Sequence, residues 1–427
     1  MKTFQPLIIA CLLMANVSCN NAKKSADLKR ILEFRDEVAA DLTGNLLPWW
    51  AAKTPDYVNG GFYGRIDWKD SVYTDANKGG VLHARILFAF SAAYRVTKDP
   101  AYLTIATRAK DYSLEYFIDK EFGGIIAELD YKGVPVNTDR YIYLHTYYIY
   151  AFSEYARATG DREALETAKA LFETMEKHAF YPDANWYTED FNRKWERVPR
   201  RIERDSEKTA VILVTRPPFI EAFTNLYRVW PEERMAQRLR FVLETFLDKI
   251  VNPNTNLLYY VIDKDWNSVS EVESWGHDIE AAWLFREAAL ALGDPQLLKR
   301  AEDASVKIAR AVEKAIQPDG SFINIAGTGI TGRETRSWWV QVEAINGYFD
   351  AWEISGEEKF LDYAINCWNY VRDHFIDKTN GGWFPSVGPD GEVRRSDKAA
   401  NWTGPYHNSR MEIEIIERVE RILHNNK

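Results

Sequence analysis

Apolar residues recur at three- and four-residue spacing through five stretches of the chain, each closed by a polar turn. These are Ala89–Pro100, Ala151–Asp161, Ala222–Pro231, Ala281–Pro295 and Ala344–Glu357. That period is the one a helix shows when one side is buried. Second amphipathic stretches follow most of them, as at Tyr102–Phe117, Glu163–His178 and Phe360–Phe375, so the unit is a helical hairpin. The turn markers Asp99, Asp161, Asp294 and Glu357 lie 62, 133 and 63 residues apart, which spells one, two and one copies of an internal repeat. Between the hairpins sit Gly-, Asp-, Asn- and aromatic-rich segments: Asn59–Gly64, Phe122–Gly124, Asp183–Tyr187, Asn252–Tyr260 and Asn380–Phe384. Several run on into a short alternating strand and a turn, at Asp130–Gly133, Asp265–Asn267 and Asp390-Gly391. With a first hairpin starting near Ala26 and a last helix over His407–His424, about six units fit. The pattern predicts an all-α fold, an (α/α)6 barrel with short β-hairpins and loops at one end. A linear helical solenoid is the alternative; the long aromatic loops favour a ring around a cavity. No Pro-, Gly- or Ser-rich linker divides the chain after residue 26, so residues 27–427 read as one domain.

Composition narrows the function. With 46% hydrophobic residues the chain can bury a large core, and its net charge of -9 argues against nucleic acid as a partner. Aromatic residues make up 14%, including 15 Trp and 23 Tyr, more than a core alone calls for and well suited to stacking on the C–H faces of sugars. Residues 1–18 read as a signal peptide: Lys2, then the apolar Pro6–Met14, then Ala15–Cys19 resembling a lipobox. Cys19 would be acylated and residues 19–26 would form a tether. The protein is then expected to be a bacterial lipoprotein, periplasmic or outer-membrane associated, meeting the membrane only through this anchor. Without the signal, Cys367 is the one cysteine of the folded part, which excludes internal disulfides and a cysteine-based metal site.

Two of the seven histidines lie in dense polar and aromatic settings, Gly276-His277-Asp278-Ile279-Glu280 and Pro405-Tyr406-His407-Asn408-Ser409-Arg410. Histidine is the side chain best suited to moving protons near neutral pH. The three-residue spacing puts His277 and Glu280 on one helix face, where the carboxylate would fix the imidazole tautomer; equally, Asp278 and Glu280 would simply answer the dipole of a helix start. His407 precedes the last helix, where it points into the ring or serves as a polar cap. Arg85, Trp338-Trp339 with Glu343, and Trp402 also fall near helix starts. There is no GxSxG, P-loop, GxGxxG or HExxH motif. Gly327-Thr328-Gly329 is read as a loop and Pro199–Arg204 as a solvated charge run.

From about Leu28 to Leu423 the chain resembles the N-acylglucosamine 2-epimerase superfamily, and within it the cellobiose and mannobiose 2-epimerases. The matching pieces are Asn59–Gly64, Ala84–Arg95, Glu221–Trp230, Gly276–Trp283, Trp338–Ala344 and Pro405–Arg410. The resemblance implies the (α/α)6 barrel and a cofactor-independent isomerase that inverts C2 of a reducing-end aldose through a cis-enediolate, with no metal. The sugar would be cellobiose- or mannobiose-like or an N-acylglucosamine. It implies that His277 and His407 are the acid/base pair, that Glu280 supports His277 and that Arg85 stabilises the enediolate. Trp339 and Trp402 would stack on sugar rings; Tyr63 and Glu343 would bind hydroxyls. The partner is a small sugar, and the protein a monomer or homodimer. The disaccharide epimerases carry an Asn-Thr-His-Leu-His run where this chain has Val214-Thr215-Arg216-Pro217-Pro218, and commonly a Gln where it has His145. Arg216 cannot shuttle a proton at neutral pH but binds carboxylates, sulfonates or hydroxyls, which leaves substrate and epimerase-versus-isomerase outcome open. A glycoside hydrolase on the same barrel would need two carboxylates across the bond, and a sugar-binding lipoprotein would need none of the proton chemistry.

Overall fold

The computed structural model describes residues 27–198, 200–201, 209–210, 212–326 and 335–425. The signal peptide, the tether with Cys19 and Gly327-Thr328-Gly329 lie outside the described residues. Of the Pro199–Arg204 run only Arg200–Arg201 is described, and it is a strand paired with Thr209–Ala210 rather than a free loop. Helix α1 runs from residue 27 through a π turn at Leu42–Leu46 to Lys53. It is followed by α2 (Gly80–Thr97), α3 (Pro100–Tyr112), α4 (Ile142–Thr159), α5 (Arg162–His178) and α6 (Pro218–Val229). The second half holds α7 (Glu233–Thr245), α8 (Trp275–Leu292), α9 (Pro295–Ala311), α10 (Trp338–Ser355), α11 (Glu358–His374) and α12 (Tyr406–Asn425).

The even-numbered helices pack side by side, and α12 returns to α2. That closure makes the ring and rules out the open solenoid. Burial follows the sequence pattern. In α2 every residue from Gly80 to Ala93 is buried, as expected of a helix walled on all sides. Outer α5 buries only Ala164, Ala168, Leu171, Phe172 and Met175, a single stripe at helical spacing. The turns inside the hairpins repeat as well. Gly160, Gly293 and Gly356 end inner helices in the left-handed conformation. The Asp161 and Asp294 carboxylates then accept amides of the next helix, at 2.8 Å from Ala164 and 2.9 Å from Gln296.

Two-residue strands stitch neighbouring units together at the end where the inner helices begin. Lys78–Gly79 pairs with Glu128–Leu129, Glu273–Ser274 with Ile325–Ala326, and Arg336–Ser337 with Ser386–Val387. A polar side chain one turn into the inner helix pins the adjoining loop. His83 Nε2 accepts the Phe62 amide at 3.3 Å, and His145 Nε2 accepts the Ile125 amide at 3.0 Å. The Asp278 carboxylate accepts Leu258 at 2.7 Å, and the Gln341 side-chain carbonyl accepts Phe322 at 2.8 Å. These four are each the fourth residue of their helix. His145 is therefore a structural pin doing the job that Gln341 does three units on. Gly124 sits so close that a Cβ there would lie 2.6 Å from His145 Nε2, and its φ of +77° independently calls for glycine.

Burial, opposed by the bond to Tyr141 and helped by Arg140, pulls the His145 imidazole down to about 3. The unfolded chain protonates this group near pH 6.5, so the fold loses about 1.4 kcal/mol per pH unit from there down to the native value. His145→Gln keeps both hydrogen bonds without a titrating ring. Its acid unfolding, followed by circular dichroism, is expected to be shallower than wild type below pH 6.5, with unchanged stability at neutral pH.

The interior of the ring is ionic as well as apolar. Arg418 of α12 is wholly buried, with Asp350 at 2.7 Å and Glu353 at 2.8 Å. Arg410, eight residues earlier and so roughly 12 Å along the helix axis, anchors a second ionic layer nearer the strand-bearing end.

Candidate active site

The sixth residue of four inner helices points at this second layer: Arg85 in α2, Tyr147 in α4, Glu280 in α8 and Glu343 in α10. Arg410 holds it together. One guanidinium nitrogen donates to the Glu221 carboxylate of α6 and to the Tyr406 hydroxyl. The other donates to Glu280 and Glu343, both at 2.7 Å. The Tyr406 hydroxyl also donates to Glu221. Burial lifts Glu280 well above the usual carboxylate range, with the neighbouring Glu343 charge adding to it and Arg410 opposing. Glu221 is raised for the same leading reason. Glu280, Glu343 and His407 are close enough together to suggest a metal set, but the Arg410 guanidinium stands between the two carboxylates and supplies the positive charge there.

His407 rests on this platform. Its Nδ1 lies 2.7 Å from a Glu343 carboxylate oxygen, which accepts a hydrogen bond from Nδ1–H and leaves Nε2 as the basic nitrogen. Nε2 faces the Arg85 guanidinium at 3.4 Å. Arg85 is held in turn by the Trp402 carbonyl at 2.6 Å and the Tyr147 hydroxyl at 3.2 Å. Burial, then the charges of Arg85 and Arg410, press the His407 imidazole well below its ordinary value, so the ring is neutral at rest.

His277 has a different support. Glu280, which the three-residue spacing assigns to it, reaches instead across the ring to Arg410 and lies 3.9 Å from His407 Nδ1. The spacing fixes the helix face; the neighbouring helix fixes the partner. His277 Nδ1 is bonded to the Ser274 hydroxyl at 2.6 Å. Burial, then Arg216 and His407, pull this imidazole down to about 3. Both histidines lean on one indole: the Trp339 ring is 4.9 Å from the His277 ring and 5.6 Å from the His407 ring, centroid to centroid. Gly276 permits this approach, since a Cβ would come within 2.8 Å of the Trp339 ring. Both neutral imidazoles thus stand against the Trp339 indole.

The sequence matches the N-acylglucosamine 2-epimerase family profile over residues 61–409. The chain belongs to this family. It is 40% identical to a cellobiose 2-epimerase of Bacteroides fragilis, covering 90% of this chain and 98% of that one. It is 36% identical to a cellobiose 2-epimerase of Ruminococcus albus, again over 90% and 98%. The solved cellobiose 2-epimerase of Bacillus thermoamylovorans superposes with a TM-score of 0.84 at 37% identity, covering 90% of this chain and 99% of that one. As a member of the N-acylglucosamine 2-epimerase family with relatives this close, the protein is a carbohydrate 2-epimerase of the isomerase class, on the expected (α/α)6 barrel.

Within this epimerase the remaining expected residues fall at different depths. Trp402 is 47% exposed at the mouth, its ring 5.3 Å from Tyr143. Arg216 stands half-buried just before α6, where Glu189 is the charge that acts on it most, with Tyr260, Tyr147 and Tyr143 also contributing. Glu343 is not a free hydroxyl-binding group: one oxygen serves His407 and Arg410 and the other accepts the Trp283 indole N–H at 3.1 Å. Tyr63 lies half-buried on the loop after α1, its amide bonded to Thr54, and makes no hydrogen bond to the histidine cluster. Sequence reasoning missed Arg410, Glu221, Tyr147 and Ser274. Aligning the inner helices on their first residues would have shown the polar sixth position and so exposed Tyr147.

Proposed function

We propose that this epimerase inverts C2 at the reducing-end aldose of a glucose- or mannose-type disaccharide, with His407 and His277 as the proton-transferring pair. The observation that carries the reading is the pair itself: two neutral imidazoles against the Trp339 indole, each with its Nδ1 engaged from behind. In the open-chain sugar the C2 hydrogen is acidified by the C1 carbonyl. One imidazole takes that proton, and the negative charge moves onto the oxygens of an enediolate. Arg85, 3.4 Å from His407 Nε2 and without a carboxylate hydrogen bond among the described residues, is the fixed cation for that charge. The other imidazole returns a proton to the opposite face and the configuration is inverted. Trp402 at the mouth suits a second sugar ring, which favours a disaccharide of the kind named for the relatives over a monosaccharide.

Arg216 supports one alternative. A guanidinium beside His277, depressing its basicity, favours proton return at C1 over C2 if it holds the enediolate away from that ring, and the product is then a ketose. Proton NMR of mannose, glucose, cellobiose, mannobiose and N-acetylhexosamines with the protein in D2O separates the cases. The expected result is deuterium at C2 together with the C2 epimer of a disaccharide. A ketose product supports the isomerase outcome, and absence of exchange with every sugar removes both.

A further inference from the structure

Ser274 and Asn324 form a relay behind His277 whose direction can be read from the backbone. Ser274 is the last residue of the strand leading into α8 and is buried. Asn324 lies on the neighbouring loop, just before the strand that pairs with it. The Asn324 side-chain oxygen is 3.2 Å from the Gly276 amide nitrogen. An amide N–H is only a donor, so the atom facing it is the carbonyl oxygen, and the orientation of the side chain is set. The Ser274 hydroxyl lies 3.4 Å from that same oxygen, to which it donates its proton. Its oxygen is then the acceptor for His277 Nδ1 at 2.6 Å. Nδ1 therefore carries the proton, and Nε2 is the free basic nitrogen.

Resting on the epimerase reading above, we infer that Ser274, oriented by Asn324, is the positioning residue that fixes the proton-transferring tautomer of His277, as Glu343 does for His407. The two supports differ in charge. A carboxylate stabilises an imidazolium more than a hydroxyl does, so His277 is the one of the pair more dependent on its geometry. Without the hydroxyl, the His277 ring loses its preference for the Nδ1–H form and half-reactions on its side slow, while those on the His407 side continue.

The test is Ser274→Ala with Ser274→Thr as the conservative control, read in two ways. The first readout is the 15N shift pattern of His277 in the free protein. It is expected to report an Nδ1–H tautomer in the wild type and in Ser274→Thr, and a mixture in Ser274→Ala; an unchanged pattern in Ser274→Ala overturns the inference whether or not any sugar turns over. The second readout is the ratio of C2 deuterium exchange to epimerisation, measured from each epimer in D2O. For the epimer whose C2 hydrogen faces His407, Ser274→Ala should raise that ratio at least tenfold, because the proton leaves as before but is not returned from the other face. For the opposite epimer, exchange and epimerisation should slow together. Threonine should restore both to near wild type. Equal slowing from both epimers with an unchanged ratio means a merely structural serine and overturns the assignment. If the wild type exchanges no sugar at all, the epimerase reading fails by itself, and the 15N pattern still decides Ser274.

Discussion

A His407→Asn protein is expected to fold normally and to lose epimerisation, together with C2 exchange of the epimer whose C2 hydrogen faces His407, by roughly 10²–10⁴-fold, the usual contribution of a positioned acid–base group. Asparagine can donate to Glu343 from nearly the place of Nδ1, so the buried carboxylate stays satisfied and the Arg410 layer is undisturbed. What is lost is the atom 3.4 Å from Arg85, the lone pair of Nε2. His277→Asn should show the opposite selectivity between the epimers. Epimerisation is lost to a similar degree, but the epimer whose C2 hydrogen faces His407 goes on exchanging with solvent, since the first half-reaction needs only His407 and Arg85. Deuterium incorporation at C2, followed by NMR from each epimer separately, gives both results. Wild-type inversion by either variant would sink the two-histidine assignment.

The ring and the approximate place of the site can be read from the sequence because they rest on repetition. Helical spacing, the acidic turn markers and the aromatic loops recur in most units, and they survive substitution of individual residues. The fourth-position pins do not read this way. His83, His145, Asp278 and Gln341 accept a loop amide from the same helical position with different chemistry. As letters they are two histidines, an aspartate and a glutamine, and His145 looks like a change at the site when it is a change of pin. Partners across the ring are illegible for a further reason. Glu280 is three residues from His277 and 130 from Arg410, yet its hydrogen bond goes to Arg410. Local spacing tells which face a side chain occupies; only ring closure tells what stands opposite. Ser274 and Asn324 meet because two short strands pair, a contact 50 residues apart in the chain.

Arg410→Met should produce the largest loss of stability at this end of the barrel, about 3–5 kcal/mol at neutral pH, the cost of leaving buried charges without their partner. Methionine fills much of the space but gives Glu221, Glu280 and Glu343 no donor, and all three are at least 98% buried. These carboxyls can escape the penalty only by taking up protons, and burial already drives Glu280 and Glu221 that way in the wild type. With the guanidinium gone, their native pKa values rise further above the 4.5 of an ordinary glutamate. The native variant then binds more protons than its unfolded chain, and its stability falls as pH rises. The deficit relative to wild type should therefore shrink steadily as pH is lowered towards about 4.5. Urea unfolding of the two proteins across that range measures it; a deficit independent of pH would mean that packing rather than charge holds the layer. Adding Glu221→Gln and Glu280→Gln to Arg410→Met removes two of the stranded charges, and most of the stability should return, because a buried ionic network can be replaced as a whole at little cost even where losing one member is severe. Glu343 remains in that triple variant, so His407 keeps the acceptor that sets its tautomer. Recovered stability with measurable C2 exchange would show that Arg410 balances the charge beneath the site rather than taking part in the proton transfer above it.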